Sequence, residues 1–172
     1  MMATTVHFSI EGASDEAWSW IAQGQGEIAW HRLGRERQRE TSRELIQERS
    51  AQQTEAIRRD GGFPTQTFVA RSEDGSLAGY VWVAKSHHDF TGELEASILG
   101  QYVAEPFRGQ GLGQRLMHAA EEWARAQRLR RISLSIGAHN TLAQNLYGSI
   151  GYKVDSLRMA KELVPEVADE GN

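Results

Sequence analysis

Cysteine is absent from the 172 residues, which excludes disulfides, zinc–thiolate centres and cysteine nucleophiles. No apolar run exceeds a few residues, and the N-terminus lacks the basic, apolar, small-residue succession of a secretory signal, so neither export nor a membrane span is expected. An excess of basic residues is also missing. With 19 Lys+Arg against 23 Asp+Glu and a net charge of −4, the chain offers no general attraction for nucleic-acid phosphates. A cytoplasmic protein without nucleic-acid or membrane partners is the expectation. There is no G-x-S-x-G elbow, H-E-x-x-H helix or EF-hand loop. His87-His88-Asp89 is a weak ligand cluster, because adjacent histidines in a polar loop read as a solvated turn, and no metal is expected. Internal repeats and low-complexity linkers are lacking too. A chain of this length forms one domain, spanning 1–172, with a mainly helical part over 1–62 and a frayed tail over 165–172.

What is present begins with "GRERQRETSRELIQERSAQQTEAIRRD", Gly34 to Asp60, rich in helix formers and free of proline. Pairs such as Glu36/Arg39, Glu40/Arg43 and Glu55/Arg59 support one long exposed helix with a thin apolar stripe, stopped by "DGG". Ser14 can cap a shorter helix in which Trp18 and Ile21 share a face. Trp18, Trp20 and Trp30 read as core, with a substrate-side role the alternative. Two β-rich runs then flank Asp74-Gly75, a hairpin signal. After the polar loop "HHDFTG", "ELEASILGQYV" reads as a strand, and Leu112, Leu116, Ala119, Ala120 and Trp123 recur at helical spacing. "RISLSIG" alternates as a strand, "NTLAQNLYGSIGY" gives a short helix, and "KVDSLRMAKEL" supplies a last strand. The order implies an α/β (α+β) domain with a mixed sheet, its parallel pair lying across the strand–helix–strand crossover.

The corner "RGQGLG", Arg108 to Gly113, fails both common phosphate motifs. In the dinucleotide frame Gln114 stands where the last glycine belongs, and no Lys-Ser or Lys-Thr follows for a P-loop. Gly109, Gly111 and Gly113 nevertheless clear side chains from the point where a strand becomes a helix. Exposed amides and the positive helix end can hold an anion there, with Arg108 adding charge. A plain glycine turn is the competing reading.

In this setting Arg108-Gly109-Gln110-Gly111-Leu112-Gly113 resembles the central signature of the GNAT superfamily of acyl-CoA-dependent N-acyltransferases. Asn140, Ala143, Leu146-Tyr147 and Gly151-Tyr152 resemble its second segment, and the likeness runs from about Phe68 to Leu163. The resemblance implies a mostly antiparallel sheet with a parallel pair splayed into a coenzyme A cleft and helices on both faces. It implies acetyl-CoA as cosubstrate and a small-molecule or peptide amine as acceptor, and it is compatible with a homodimer. By the same resemblance the amides of Gln110, Gly111, Leu112 and Gly113 hold the pyrophosphate. The strand end Tyr102-Val103 pairs with pantetheine, and a backbone N–H near Val103 polarises the thioester. Asn140 contacts pantetheine, caps its helix, or does both.

Direct acyl transfer needs a neutral amine and a proton for the departing thiolate. Deprotonating an alkylamine of pKa ~10.4 at pH 7 costs roughly 4.6 kcal/mol. Glu95 stands on the strand from which related enzymes draw a glutamate base, and alternation would put it on one face with Ser97, Leu99, Gln101 and Val103. A carboxylate of pKa ~4.3 is a poor base for an ammonium unless raised or relayed by water, so a structural charge or an ammonium anchor is an equal reading. Tyr147 matches the family's general acid, and a phenol of pKa ~10 suits a thiolate whose thiol lies near ~8.5. Packing beneath the cofactor is its other reading. A non-catalytic acyl-CoA-binding or sensing module is the alternative to an enzyme.

Overall fold

β1 (Phe8–Gly12) is an edge strand pairing antiparallel with β2 (Thr65–Ser72), in the computed structural model, which describes residues 7–60, 62–161 and 163. The mainly helical reading of residues 1–62 missed this strand. Phe8 is buried and Ile10 packs beside it in the core, so this short edge strand is held by two inward side chains. A 3₁₀ turn (Asp15–Ala17) leads into α1 (Trp18–Arg32); Ser14 precedes that turn but makes no side-chain cap. The expected single helix over Gly34 to Asp60 is two, α2 (Arg35–Arg39) and α3 (Arg43–Asp60). Ser42 accounts for the break. Its Oγ accepts the Leu45 N–H at 3.1 Å, and a capping serine starts a helix more favourably than it continues one.

The hairpin of β2 and β3 (Leu77–His87) turns at Gly75, φ +83°, and β4 (Leu94–Val103) follows. A 3₁₀ turn (Glu105–Phe107) leads to α4 (Leu112–Ala126), then β5 (Ile132–Leu134) and α5 (Thr141–Ser149). The sheet order is β1-β2-β3-β4-β5, antiparallel throughout except for the parallel pair β4–β5. That is the mixed, mostly antiparallel α/β architecture expected. The last expected strand is not formed: from Lys153 onward the described residues carry no strand, and Val154, Leu157 and Met159 are exposed. Among the described residues a single ion pair, Asp155 to Arg131 at 2.6 Å, ties this segment to the residue that precedes β5. The frayed tail expected over 165–172 lies outside the described residues.

Two apolar layers sandwich the sheet. On one face Val81, Val83, Ala96 and Ile98 meet Leu112, Leu116, Met117, Ala120 and Ala124 of α4. On the other, Val69, Tyr80 and Trp82 meet Ala17 and Ile21, with Trp18 and Trp20 at the rim. Trp20 packs edge-on to both Tyr80 and Tyr102, 5.7 Å between centroids in each case, so these tryptophans serve the core reading. Trp30 lies outside that layer with the Arg43 guanidinium 6.0 Å over its ring.

Glycines let α1 approach. A Cβ on Gly24 would stand 2.6 Å from the Tyr80 ring, and one on Gly26 3.0 Å from Gln47 of α3. Two interior glycines weaken the isolated helix by about 1 kcal/mol each, and burial against β3 and α3 offsets this. Gly24→Val is therefore expected to destabilise by about 2 kcal/mol, lowering Tm by about 4–8 °C in thermal denaturation. Gly34→Ala, with nothing within 4 Å of the added methyl, should change stability by less than about 0.5 kcal/mol.

Candidate active site

One extra residue in β4 shapes the site. Trp82 pairs with Gly100 but Val83 pairs with Ile98, so Leu99 bulges. A bulge reverses which face the following residues address. Before it, Ala96 and Ile98 pack toward α4; after it, Val103 does so, while Leu99 and Tyr102 pack toward α1. The expected common face of Glu95, Ser97, Leu99, Gln101 and Val103 is thus divided. Glu95, Ser97 and Leu99 lie on the α1 face, and Gln101 and Val103 on the α4 face. The parallel ladder also stops here: β4 and β5 pair only over Ala96↔Ile132, Ser97↔Ser133 and Ile98↔Leu134. Beyond Ile98 the two strands part into a cleft.

Backbone groups at a parted edge need other partners, and arginines supply two. Arg108 Nε donates to Val103 O at 2.9 Å with its guanidinium 6.0 Å over the Tyr102 ring. Arg32, at the end of α1, donates to Ser135 O at 2.6 Å. Nearby, His139 Nε2 lies 2.8 Å from His31 O, and because a carbonyl only accepts, this nitrogen carries the proton. The last turn of α1 is thereby fastened to the loop that precedes α5.

The glycines of the corner are required for two different reasons. Gly109 and Gly111 adopt φ +76° and +74°, and Gly111 is the left-handed N-cap of α4. Gly113 is needed for space, since its Cβ would fall 3.2 Å from Gln101 Nε2 and 3.4 Å from Leu146. Gly109, Gln110 and Gly111 are exposed, whereas Leu112 is buried in the core. Gln110 Nε2 folds back onto Pro106 O at 3.2 Å. Arg108, which begins the corner, is engaged through Nε at the strand end.

Tyr147, 9% exposed, lies on α5, its hydroxyl donating to Gln101 Oε1 at 2.7 Å. Gln101 Nε2 in turn donates to Gly113 O at 2.5 Å. Burial raises the phenol's pKa above the usual value, and the charge of Arg32 partly opposes this. Behind Tyr147, Gly151 at φ +96° lets Tyr152 N–H return to Tyr147 O at 2.9 Å, a left-handed helix stop. Asn140 caps α5, its Oδ1 accepting Ala143 N–H at 3.1 Å. Of its two readings the cap is formed. The amide also borders a cavity of about 290 Å³ lined by His31, Leu33, Arg35, Gln38, His139 and Asn140, with no carboxylate in that lining.

Glu95 stands apart. It is 6% exposed; Oε1 accepts Ser133 Oγ at 2.8 Å, and Oε2 lies 3.1 Å from Arg131 Nε without an aligned donor. Six residues separate it from Gln101, about 20 Å along a strand, and the bulge puts it on the opposite face. The structure does not bring Glu95 to Tyr147. His87 and His88 hold the turn they begin, through Gly92 O at 2.8 Å and Thr91 N at 3.2 Å. Among the described residues no cluster of three His, Asp or Glu is placed to hold a metal, and no helix is long and apolar enough to cross a membrane.

Gln101 and Arg32 were missed as functional positions. A glutamine inside "ILGQYV" is a visible polar interruption of an apolar strand. Nothing in the sequence connects Arg32 with a cleft a hundred residues away.

Known proteins resemble this chain in sequence and fold. N-acetyltransferase YdgE of Bacillus subtilis, itself uncharacterised, is 34% identical over 93 residues, 54% of this chain and 57% of its own, so the chain spans little more than half of that relative. A Pyrococcus furiosus structure described as an acetyl transferase superposes with a TM-score of 0.76 at 27% identity, covering 91% of this chain and all of its own. An aminoglycoside N-acetyltransferase in complex with CoA shares the fold, with a TM-score of 0.68 at 14% identity over 95% of this chain and 99% of its own. The model of the acetyltransferase (GNAT) family matches residues 27–152, a span that takes in the bulged strand, the glycine corner and the helix of Tyr147. The chain belongs to that family.

Proposed function

We propose that the protein transfers an acetyl group from acetyl-CoA to a primary amine by direct attack. The observation that carries this reading is the meeting of the glycine-cornered N-terminus of α4 and the buried phenol of Tyr147 at the parted end of β4 and β5. The helix start at Gln110 to Gly113, exposed at Gln110 and Gly111, suits a pyrophosphate. The unpaired edge at Tyr102 and Val103 suits an extended amide-bearing arm, for which Arg108 would yield Val103 O. The amine nitrogen bonds to the thioester carbon through a tetrahedral intermediate, and the carbon–sulfur bond breaks. The thiolate takes the Tyr147 proton and the amine's excess proton passes to water. Glu95, paired with Ser133 and Arg131, serves as a structural charge.

A sensing module would bind acetyl-CoA without turnover, so binding and turnover are measured separately. At 100 times its Kd, acetyl-CoA adds about 2.7 kcal/mol, a rise in Tm of about 5–11 °C. No shift at millimolar acetyl-CoA overturns both readings, and a shift without thiol release across an amine panel leaves the sensor. Tyr147→Phe should lower kcat by about 10²- to 10⁴-fold while the Kd for CoA changes less than about threefold. The phenol works protonated, so wild-type activity falls as pH rises through its elevated pKa, and that descending limb should vanish in the variant.

Among the described residues no carboxylate hydrogen-bonds the Tyr147 hydroxyl, and without a base there acceptors that are already neutral gain. At pH 7 freeing an α-amine of pKa ~7.8 costs roughly 1 kcal/mol, against about 4.6 for a lysine-like amine. Short peptides with a free N-terminus should exceed alkylamines in kcat/KM at pH 7, the gap narrowing toward pH 10. Equal rates at pH 7 would reject this acceptor class.

A further inference from the structure

Gln101 belongs to neither motif, yet it touches both. Its side-chain amide lies between Gly113 O, in the first turn of α4, and the Tyr147 hydroxyl on α5. Gly113 O can only accept, so Nε2 must face it. Oε1 then faces Tyr147, and the phenol must donate. We propose that Gln101 is a positioning residue that holds Tyr147 as the proton-bearing acid of the transfer and keys it to the helix that seats the cofactor.

The constraint acts in both directions. A phenolate would confront Oε1, an acceptor, and turning the amide to offer Nε2 would bring Oε1 against Gly113 O. Neither arrangement is favourable, so the proton stays on Tyr147 until a stronger acceptor than an amide oxygen arrives, as a departing thiolate is. Once the proton has gone, the same amide favours its return from solvent. The amine must be neutral while the phenol is still protonated, so a higher phenol pKa widens the usable pH range on the alkaline side.

Other groups face Tyr147 as well. From α1 the positive charge of Arg32 favours the phenolate, while Tyr152, 5.8 Å away between ring centroids, is neutral and donates to Glu121 of α4 at 3.3 Å. Burial acts with Gln101 in favouring the protonated phenol. Among the described residues only Gln101 hydrogen-bonds the hydroxyl.

The inference rests on Tyr147 being the acid, and the experiment keeps the two apart. kcat is followed against pH for wild type, Gln101→Met, Gln101→Glu and Tyr147→Phe, with CoA affinity measured for each. Tyrosinate absorbance of Gln101→Met is also titrated against that of the Gln101→Met/Tyr147→Phe double variant. Losing the acceptor should move the descending limb, and the tyrosinate transition, down by about one pH unit, a tenfold change in proton affinity. A carboxylate at 101 should move the limb up, with the Kd for CoA within about threefold in both variants. A purely structural tether would leave the limb of Gln101→Met at its wild-type position. Limbs at the wild-type position, together with a tenfold loss of CoA affinity, overturn the proposal. A descending limb that persists in Tyr147→Phe removes the acid reading instead. Should the methionine variant not fold, an unmoved or lowered limb in the glutamate variant is sufficient to overturn the proposal.

Discussion

The bulge at Leu99 is the constraint on which the rest depends. β4 must fill a hydrophobic layer beneath α1 and also reach toward α4 and α5, and strict alternation would give both faces the same phase along its whole length. One extra residue changes that phase midway. Gly100, immediately after it, lies under Gln25 of α1, where a Cβ would come within 2.4 Å of the amide. The helix is thus seated on the bulge itself. The same irregularity coincides with the end of the β4–β5 ladder, so the opening and the change of face are one feature.

The position of α1 follows from this, and the far side of the opening follows from α1. Gly24 rests on Tyr80 and Gly26 on Gln47, leaving the helix little freedom to slide. Its last turn then holds Ser135 O through Arg32 and His139 through His31 O. An exposed hydrogen bond contributes about 0.5–1.5 kcal/mol net, small enough to be exchanged when a ligand supplies an equivalent partner. The arginine contacts at Val103 O and Ser135 O keep the separated strands hydrogen-bonded without closing them.

How much of this could be read from residues alone depended on how local each cause was. The glycine corner, the Gly75 hairpin, the α4 stripe and the Gly151-Tyr152 stop each follow from a few neighbouring residues, and each was legible. β1 was not, because five residues carry a strand signal only once a partner strand supplies the pairing. The break at Ser42 was hidden by supportive charge pairs on both sides of it. Face assignment in β4 failed for a different reason: alternation is a dependable rule until a bulge, and bulges are set by packing against another element, here Gln25 over Gly100. Glu95 was misplaced by that error. Gln101, counted only as its neighbour on the strand, was the residue the bulge had turned toward Tyr147.

The separation of Glu95 from Tyr147 bears on the chemistry as well as on the fold. A base removes a proton from an ammonium, but surroundings that disfavour the ammonium have a related effect on the equilibrium. His31, Arg35 and His139 border the cavity beside Asn140, and its lining holds no carboxylate to stabilise a cation. Positive charge near an amine lowers its pKa, as like charges do generally, and each unit of lowering is ~1.36 kcal/mol less to free the lone pair. For an amine seated against that lining, the Arg35 charge would favour the neutral nucleophile, as Gln101 favours the protonated phenol. Neither effect would draw on a carboxylate.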